Sequence, residues 1–212
     1  MADIFDLFKQ ISSQNTTGGG VPEFIIAGLG NPGDKYTFTR HNAGFLALDY
    51  ISQKLGCKIN QVKFKSLVAQ TTIAGHRVLL MKPQTFMNAS GEAVNEAATF
   101  YKIPPENIIV ISDDVAQAVG RMRIRKSGSD GGQKGLRSII TIMNTDQFPR
   151  IRIGVGEKPN PEYDMADWVL GKIPEEDQKK IFSVIECVND AIPMILDGRL
   201  DDAMGKYNGV KF

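Results

Sequence analysis

Apolar and polar positions alternate along this chain in two rhythms. Short unbroken apolar runs, FIIA at 24–27 and IIVI at 108–111, predict strands buried on both faces. SLVAQTTIAG (66–75) and RVLLMKP (77–83) flank Gly75-His76 and predict a hairpin. GRMRIRKSG (120–128) and FPRIRIGVG (148–156) alternate basic and apolar residues, as strands with one wet face do. Helical spacing appears in HNAGFLALDYISQKLG (41–56), where Phe45, Leu46, Leu48, Ile51 and Leu55 are apolar and Gly56 is the stop. A second helix opens at Ser90-Gly91-Glu92 and ends near Tyr101, before Pro104-Pro105. GLRSIITIMN (135–144) follows a glycine-rich loop as a third. PEEDQKKIFSVIECVNDAIPMILDG (174–198) is a long amphipathic fourth, with Pro193 placed to kink or end it. Strands and helices interleave. The fold class is therefore α/β, a single domain with a central mixed β-sheet flanked by helices.

The first 22 residues stand apart. Ile4, Phe5, Leu7, Phe8 and Ile11 could line one face of a docking helix, or the stretch could be an N-terminal extension without fixed structure. Gly18-Gly19-Gly20 joins it to a domain at 23–212 as a flexible linker. No apolar run is long enough for a signal peptide or a membrane span, and the expected location is the cytoplasm. Cys57 and Cys187 lack C-x-x-C spacing and read as two buried, reduced thiols. The histidines, His41 and His76, are too few and too scattered for a zinc site.

The segment GLGNPGDKYTFTRHNAGF (28–45) contains a G-x-G-x-x-G at Gly28, Gly30 and Gly33. A dinucleotide-binding turn would need its last glycine to open a helix that holds a pyrophosphate. Here Pro32 precedes that glycine, and DKYTFTRHN has no helical apolar spacing. A tight strand-to-loop turn fits better, and it brings Asn31 to the carboxyl end of a central strand. His41, Asn88 and Asp113 also fall at strand ends or helix starts. An imidazole, a carboxylate and two amides suit acyl transfer to water. The imidazole takes the proton, the carboxylate fixes its tautomer, and amide N–H groups receive charge growing on a carbonyl oxygen. Each group alone could equally be a cap or turn residue. No serine or cysteine lies in a nucleophile elbow.

Net charge is +1, so a polyanionic partner has to be sought in local distribution. Arg121, Arg123 and Arg125 alternate, Lys126, Lys134 and Arg137 follow, and Arg150 and Arg152 alternate on a later strand, while acids gather in PEEDQ and NPEYD. The basic stripe is either a solvated face or a modest phosphate-backbone footprint.

GLGNPGDKYTFTRHNAGF, KPQTFMNASGEAV, the ISDD segment, the GSDGGQKGL loop and PRIRIGVG, in this order over residues 23–205, resemble bacterial-type peptidyl-tRNA hydrolase. The resemblance implies a single-domain esterase, needing neither metal nor cofactor, that cleaves the ester between a peptide and the 3′ ribose of tRNA. It implies a monomer that meets the acceptor stem and CCA end and no membrane. It makes His41 the general base, Asp113 its orienting acid, and Asn31 a substrate contact. Asn88, Met87 and Phe86 would line the cleft, Tyr36 would meet the tRNA end, and Arg125 and Arg152 would receive the 5′ phosphate. The family's glycine loop usually continues with His-Asn, where this chain has Gln133-Lys134. Lys134 could hold a phosphate or the substrate carbonyl, with Gln133 still able to donate and accept. Alternatively, the change could mark a relative that binds RNA without hydrolysing it. A nicotinamide-dependent oxidoreductase is the reading left to the glycines alone.

Overall fold

The unbroken apolar runs form the inner strands of one sheet. In the computed structural model, which describes residues 20–212, seven strands are present among the described residues. They are β1 (Phe24–Gly28), β2 (Gln61–Lys63), β3 (Ser66–Ile73), β4 (His76–Pro83), β5 (Ile108–Asp114), β6 (Met122–Arg125) and β7 (Arg150–Gly154). Their order is β2-β3-β4-β1-β5-β7-β6. The inner four, β4, β1, β5 and β7, are parallel; β2, β3 and β6 pair antiparallel at the flanks. The sheet is thus mixed, as the hairpin at Gly75-His76 required. The proposed apolar face of residues 4–11 lies outside the described residues.

Helices cover both faces. They are α1 (Ala43–Lys54), α2 (Ser90–Tyr101), α3 (Lys134–Met143), α4 (Met165–Leu170), α5 (Glu175–Leu196) and α6 (Leu200–Tyr207). One core joins Ile26, Leu80, Ile109, Ile111 and Ile151 to Leu48 and Ile51 of α1 and to Val184, Val188 and Ile192 of α5. The other joins Ile25, Leu79, Met81 and Val110 to Val94 and Ala97 of α2 and to Leu136 and Ile139 of α3. Alternate residues of each central strand thus feed opposite cores, which is why those strands read as continuous apolar runs. No helix among the described residues is long and apolar enough to cross a membrane.

The glycines of the opening motif serve packing. A Cβ on Gly28 would lie 2.3 Å from the Gly44 carbonyl oxygen, and one on Gly30 would lie 2.6 Å from the Phe45 ring. The first turn of α1 therefore sits directly on the end of β1. Gly33 adopts φ 105° and leads into a single 3₁₀ turn, Asp34–Tyr36, so no helix N-terminus faces a pyrophosphate there. This removes the basis for the oxidoreductase reading.

Several expectations change. β7 is an interior strand, and Arg150 is only 1% exposed; its guanidinium donates to the carbonyls of Gly128, Asp146 and Phe148. Burial pulls its pKa down to about 10, still charged at neutral pH. The face of β7 that carries Arg150 and Arg152 is therefore largely covered rather than wet, and Arg150 drops out of the basic stripe. Cys57 and Cys187 are free but half-buried rather than buried, and burial raises both thiol pKa values. Pro193 does not end α5, which continues to Leu196. The sequence pattern also missed β2, α4 and α6. β2 is three exposed edge residues, α4 spans fewer than two turns, and α6 carries Gly205 and paired aspartates.

Candidate active site

The carboxyl ends of β1, β5 and β7, the segment after β4 and the start of α3 surround a cavity of about 830 Å³. Asn31, His41, Phe86, Met87, Asn88 and Asp113 line it. Gln133, Lys134, Arg152, the α3 residues Arg137 and Ile142 and the α4 residues Met165, Val169 and Leu170 are also part of the wall. The position follows the general rule that open α/β sheets bind at the strands' carboxyl ends.

His41 lies in a 3₁₀ turn, Arg40–Asn42, that leads straight into α1. Its Nδ1 is 2.9 Å from Asp113 Oδ2, with His41 8% and Asp113 2% exposed. An ionised carboxylate can only accept, so Nδ1 carries the proton. That tautomer leaves Nε2 as the basic nitrogen, and it has no partner among the described residues. The turn itself is pinned from behind. Arg40 stacks 3.5 Å over the Trp168 ring and donates to the Lys172 carbonyl at 3.1 Å. One residue thereby ties the His41 turn to the α4 wall.

Asn31 is oriented by two neighbours. Asn42 accepts from the Asn31 N–H at 2.9 Å and donates back to its carbonyl at 3.0 Å, which fixes the backbone. The Met87 N–H donates to Asn31 Oδ1 at 2.8 Å. The amide oxygen is therefore occupied, and Nδ2 remains as a donor beside the cavity. Phe86 adopts φ 53°, a left-handed conformation costly for a bulky residue. Its ring is half in solvent and meets Tyr36 edge-on, with centroids 6.5 Å apart. Asn88 is exposed on the cavity wall, and its side chain makes no hydrogen bond to another described residue.

The glycine loop delivers a result that the sequence did not suggest. Gln133, expected to touch substrate, is 6% exposed and points inward. Its Nε2 donates to Asp113 Oδ1 at 3.0 Å and lies 3.0 Å from Met87 Sδ, while its Oε1 caps α3 by accepting from the Leu136 N–H at 2.7 Å. Lys134 is exposed at the cavity rim. Arg152 lies beneath the loop: a Cβ on Gly131 would come within 2.6 Å of its guanidinium. Its Nε is 3.1 Å from Asp114 Oδ2, a charge contact without hydrogen-bond alignment.

Two of the expected substrate contacts sit outside the cavity. Tyr36 borders it through Phe86. Arg125 is exposed on β6, opposite the buried Arg150 in register, and Arg123 is opposite Arg152. Opposed residues share a face, so Arg123 and Arg125 extend the Arg152 side of the cavity outward. Among the described residues, no group of three or more His, Cys, Asp or Glu side chains could hold a metal ion.

Known proteins share this sequence and fold. The family model for peptidyl-tRNA hydrolase matches residues 25–212. A peptidyl-tRNA hydrolase of Caldicellulosiruptor bescii is 52% identical over 88% of this chain and 97% of its own length. One from Thermoanaerobacter sp. is 48% identical over 88% of this chain and all of its own. The crystal structure of peptidyl-tRNA hydrolase from Acinetobacter baumannii superposes with a TM-score of 0.84 at 34% identity, covering 91% of this chain and 99% of the other.

Proposed function

The chain belongs to the peptidyl-tRNA hydrolase family and hydrolyses peptidyl-tRNA, and on that premise we propose how its side chains divide the work. His41 Nε2 takes a proton from water as the oxygen attacks the ester carbonyl carbon. The carbonyl electron pair moves onto oxygen, where Asn31 Nδ2 and the Asn88 amide can donate. Collapse of that intermediate breaks the bond to the ribose 3′ oxygen, which leaves with the proton held on His41. The products are a tRNA with a free hydroxyl and a peptide carboxylic acid, which releases its proton to solvent as the carboxylate. Asp113 keeps Nδ1 protonated and stabilises the imidazolium. The observation that carries this reading is the 2.9 Å contact of His41 Nδ1 with Asp113, which leaves Nε2 alone at the cavity wall.

Phosphate groups of the substrate fall to Arg152 and Arg125, with Lys134 at the rim. Phe86 and Tyr36 offer ring faces to the unpaired CCA bases, since single-stranded RNA ends are held largely by stacking. The protein acts as a monomer and without a metal. Cytoplasmic tRNA is the natural pool of substrate for it. A non-catalytic RNA-binding role gains nothing from the changed loop, because Gln133 supports Asp113 instead of displacing it.

The test is release of N-acetylated amino acid from charged tRNA by EDTA-treated protein. His41→Ala should lower kcat by about 10³-fold or more while tRNA binding persists. Equal turnover by wild type and variant would remove His41 from the mechanism.

A further inference from the structure

We infer that Gln133 is a positioning residue for the His41–Asp113 pair, supplying Asp113 with a second hydrogen bond that does not titrate; the inference rests on the catalytic roles assigned above. Asp113 Oδ2 accepts from His41 at 2.9 Å and Oδ1 accepts from Gln133 Nε2 at 3.0 Å. Both carboxylate oxygens are thus held, and the plane of the carboxylate is set. A carboxylate with one tether can rotate and carry the imidazole with it.

The orientation of the Gln133 amide is itself dictated. Oε1 accepts from the Leu136 N–H at 2.7 Å, at the N-terminus of α3. A backbone N–H can only donate, so the oxygen must face α3 and the nitrogen must face Asp113. The glycine loop and α3 are in this way keyed to the catalytic pair through one side chain. The amide N–H that faces Asp113 donates at every pH, so this hold on the carboxylate does not change with protonation.

Gln133→Glu separates this role from capping. A glutamate oxygen can still accept from the Leu136 N–H, so the cap survives. What faces Asp113 becomes an acceptor, and two carboxylates at this distance compete for one proton. The other charged groups around the pair are His41 itself, Asp114 with its Arg152 partner, Lys134, and Arg137 with its Asp130 partner. None of these changes in the variant.

Gln133→Glu should reduce kcat at neutral pH by about 10- to 100-fold, with KM within about twofold of wild type. The ratio of variant to wild-type kcat should rise as pH falls and the carboxylate pair takes up a proton. Gln133→Met, which neither donates nor caps, should lose activity without that pH-dependent recovery. A Gln133→Glu enzyme with wild-type kcat and a parallel pH profile, beside an inactive His41→Ala, would overturn the role of Gln133 alone. An active His41→Ala would instead overturn the catalytic assignment beneath it.

Discussion

Asp113 has two donors, and replacing its carboxylate affects them unequally. In Asp113→Asn one side-chain oxygen remains, while the nitrogen must face either His41 Nδ1 or Gln133 Nε2, both donors. If it faces His41, the ring is driven to the opposite tautomer and Nε2 stops being a base. The expected result is a kcat about 10²-fold below wild type, a smaller loss than for His41→Ala, measured on acetylated aminoacyl-tRNA. Lys134 differs in kind. It is exposed at the rim and makes no hydrogen bond or ion pair with His41, Asp113, Asn31 or Asn88. Lys134→Asn should therefore keep or raise kcat. A collapse of turnover in that variant would show that the ammonium has taken over part of the substrate contact.

At the scale of elements, the site depends on how closely α1 approaches β1. Gly28 and Gly44 meet there: a Cβ on Gly44 would lie 2.3 Å from the Ile111 carbonyl oxygen and 2.4 Å from the Leu29 nitrogen. Both are backbone atoms of central strands or their ends and cannot rotate away. The helix would have to lift, and the His41 turn would lift with it. Gly44→Ala should thus cost about 3 kcal/mol, visible as a fall of about 10 °C in Tm, and should lower kcat in the fraction that still folds. A variant with the wild-type Tm would show that α1 has slack against the sheet. The glycine loop has a comparable support in Arg150, whose buried guanidinium binds the carbonyls of Gly128 and Asp146 and so fixes the approach to Gln133.

For the molecule as a whole, charge placement outweighs net charge. With Arg150 buried, the exposed cations at or near the cavity include Arg123, Arg125, Lys126, Lys134 and Arg137, the last paired with Asp130. Few phosphate contacts mean that affinity for tRNA should fall only moderately with salt, and Arg125→Ala should flatten the slope of log KM against log salt by about 1 without altering kcat. An unchanged slope would take Arg125 out of the tRNA footprint. The sequence by itself determined the α/β class, the inner strands and the long helices, and it singled out His41, Asp113, Asn31 and Asn88 as strand-end or helix-start residues, which the structure brings to one cavity. It could do so because apolar periodicity and strand-end position are local properties of the chain. Direction and burial of individual side chains were decided by tertiary structure. FPRIRIGVG reads as a strand with one wet face until the carbonyls of Gly128, Asp146 and Phe148 close over Arg150. Gln133 reads as a substrate contact until α3 needs a cap and Asp113 offers an acceptor. Each outcome needs a partner distant in sequence, Gly128 for Arg150 and Asp113 for Gln133, and no local pattern encodes those contacts.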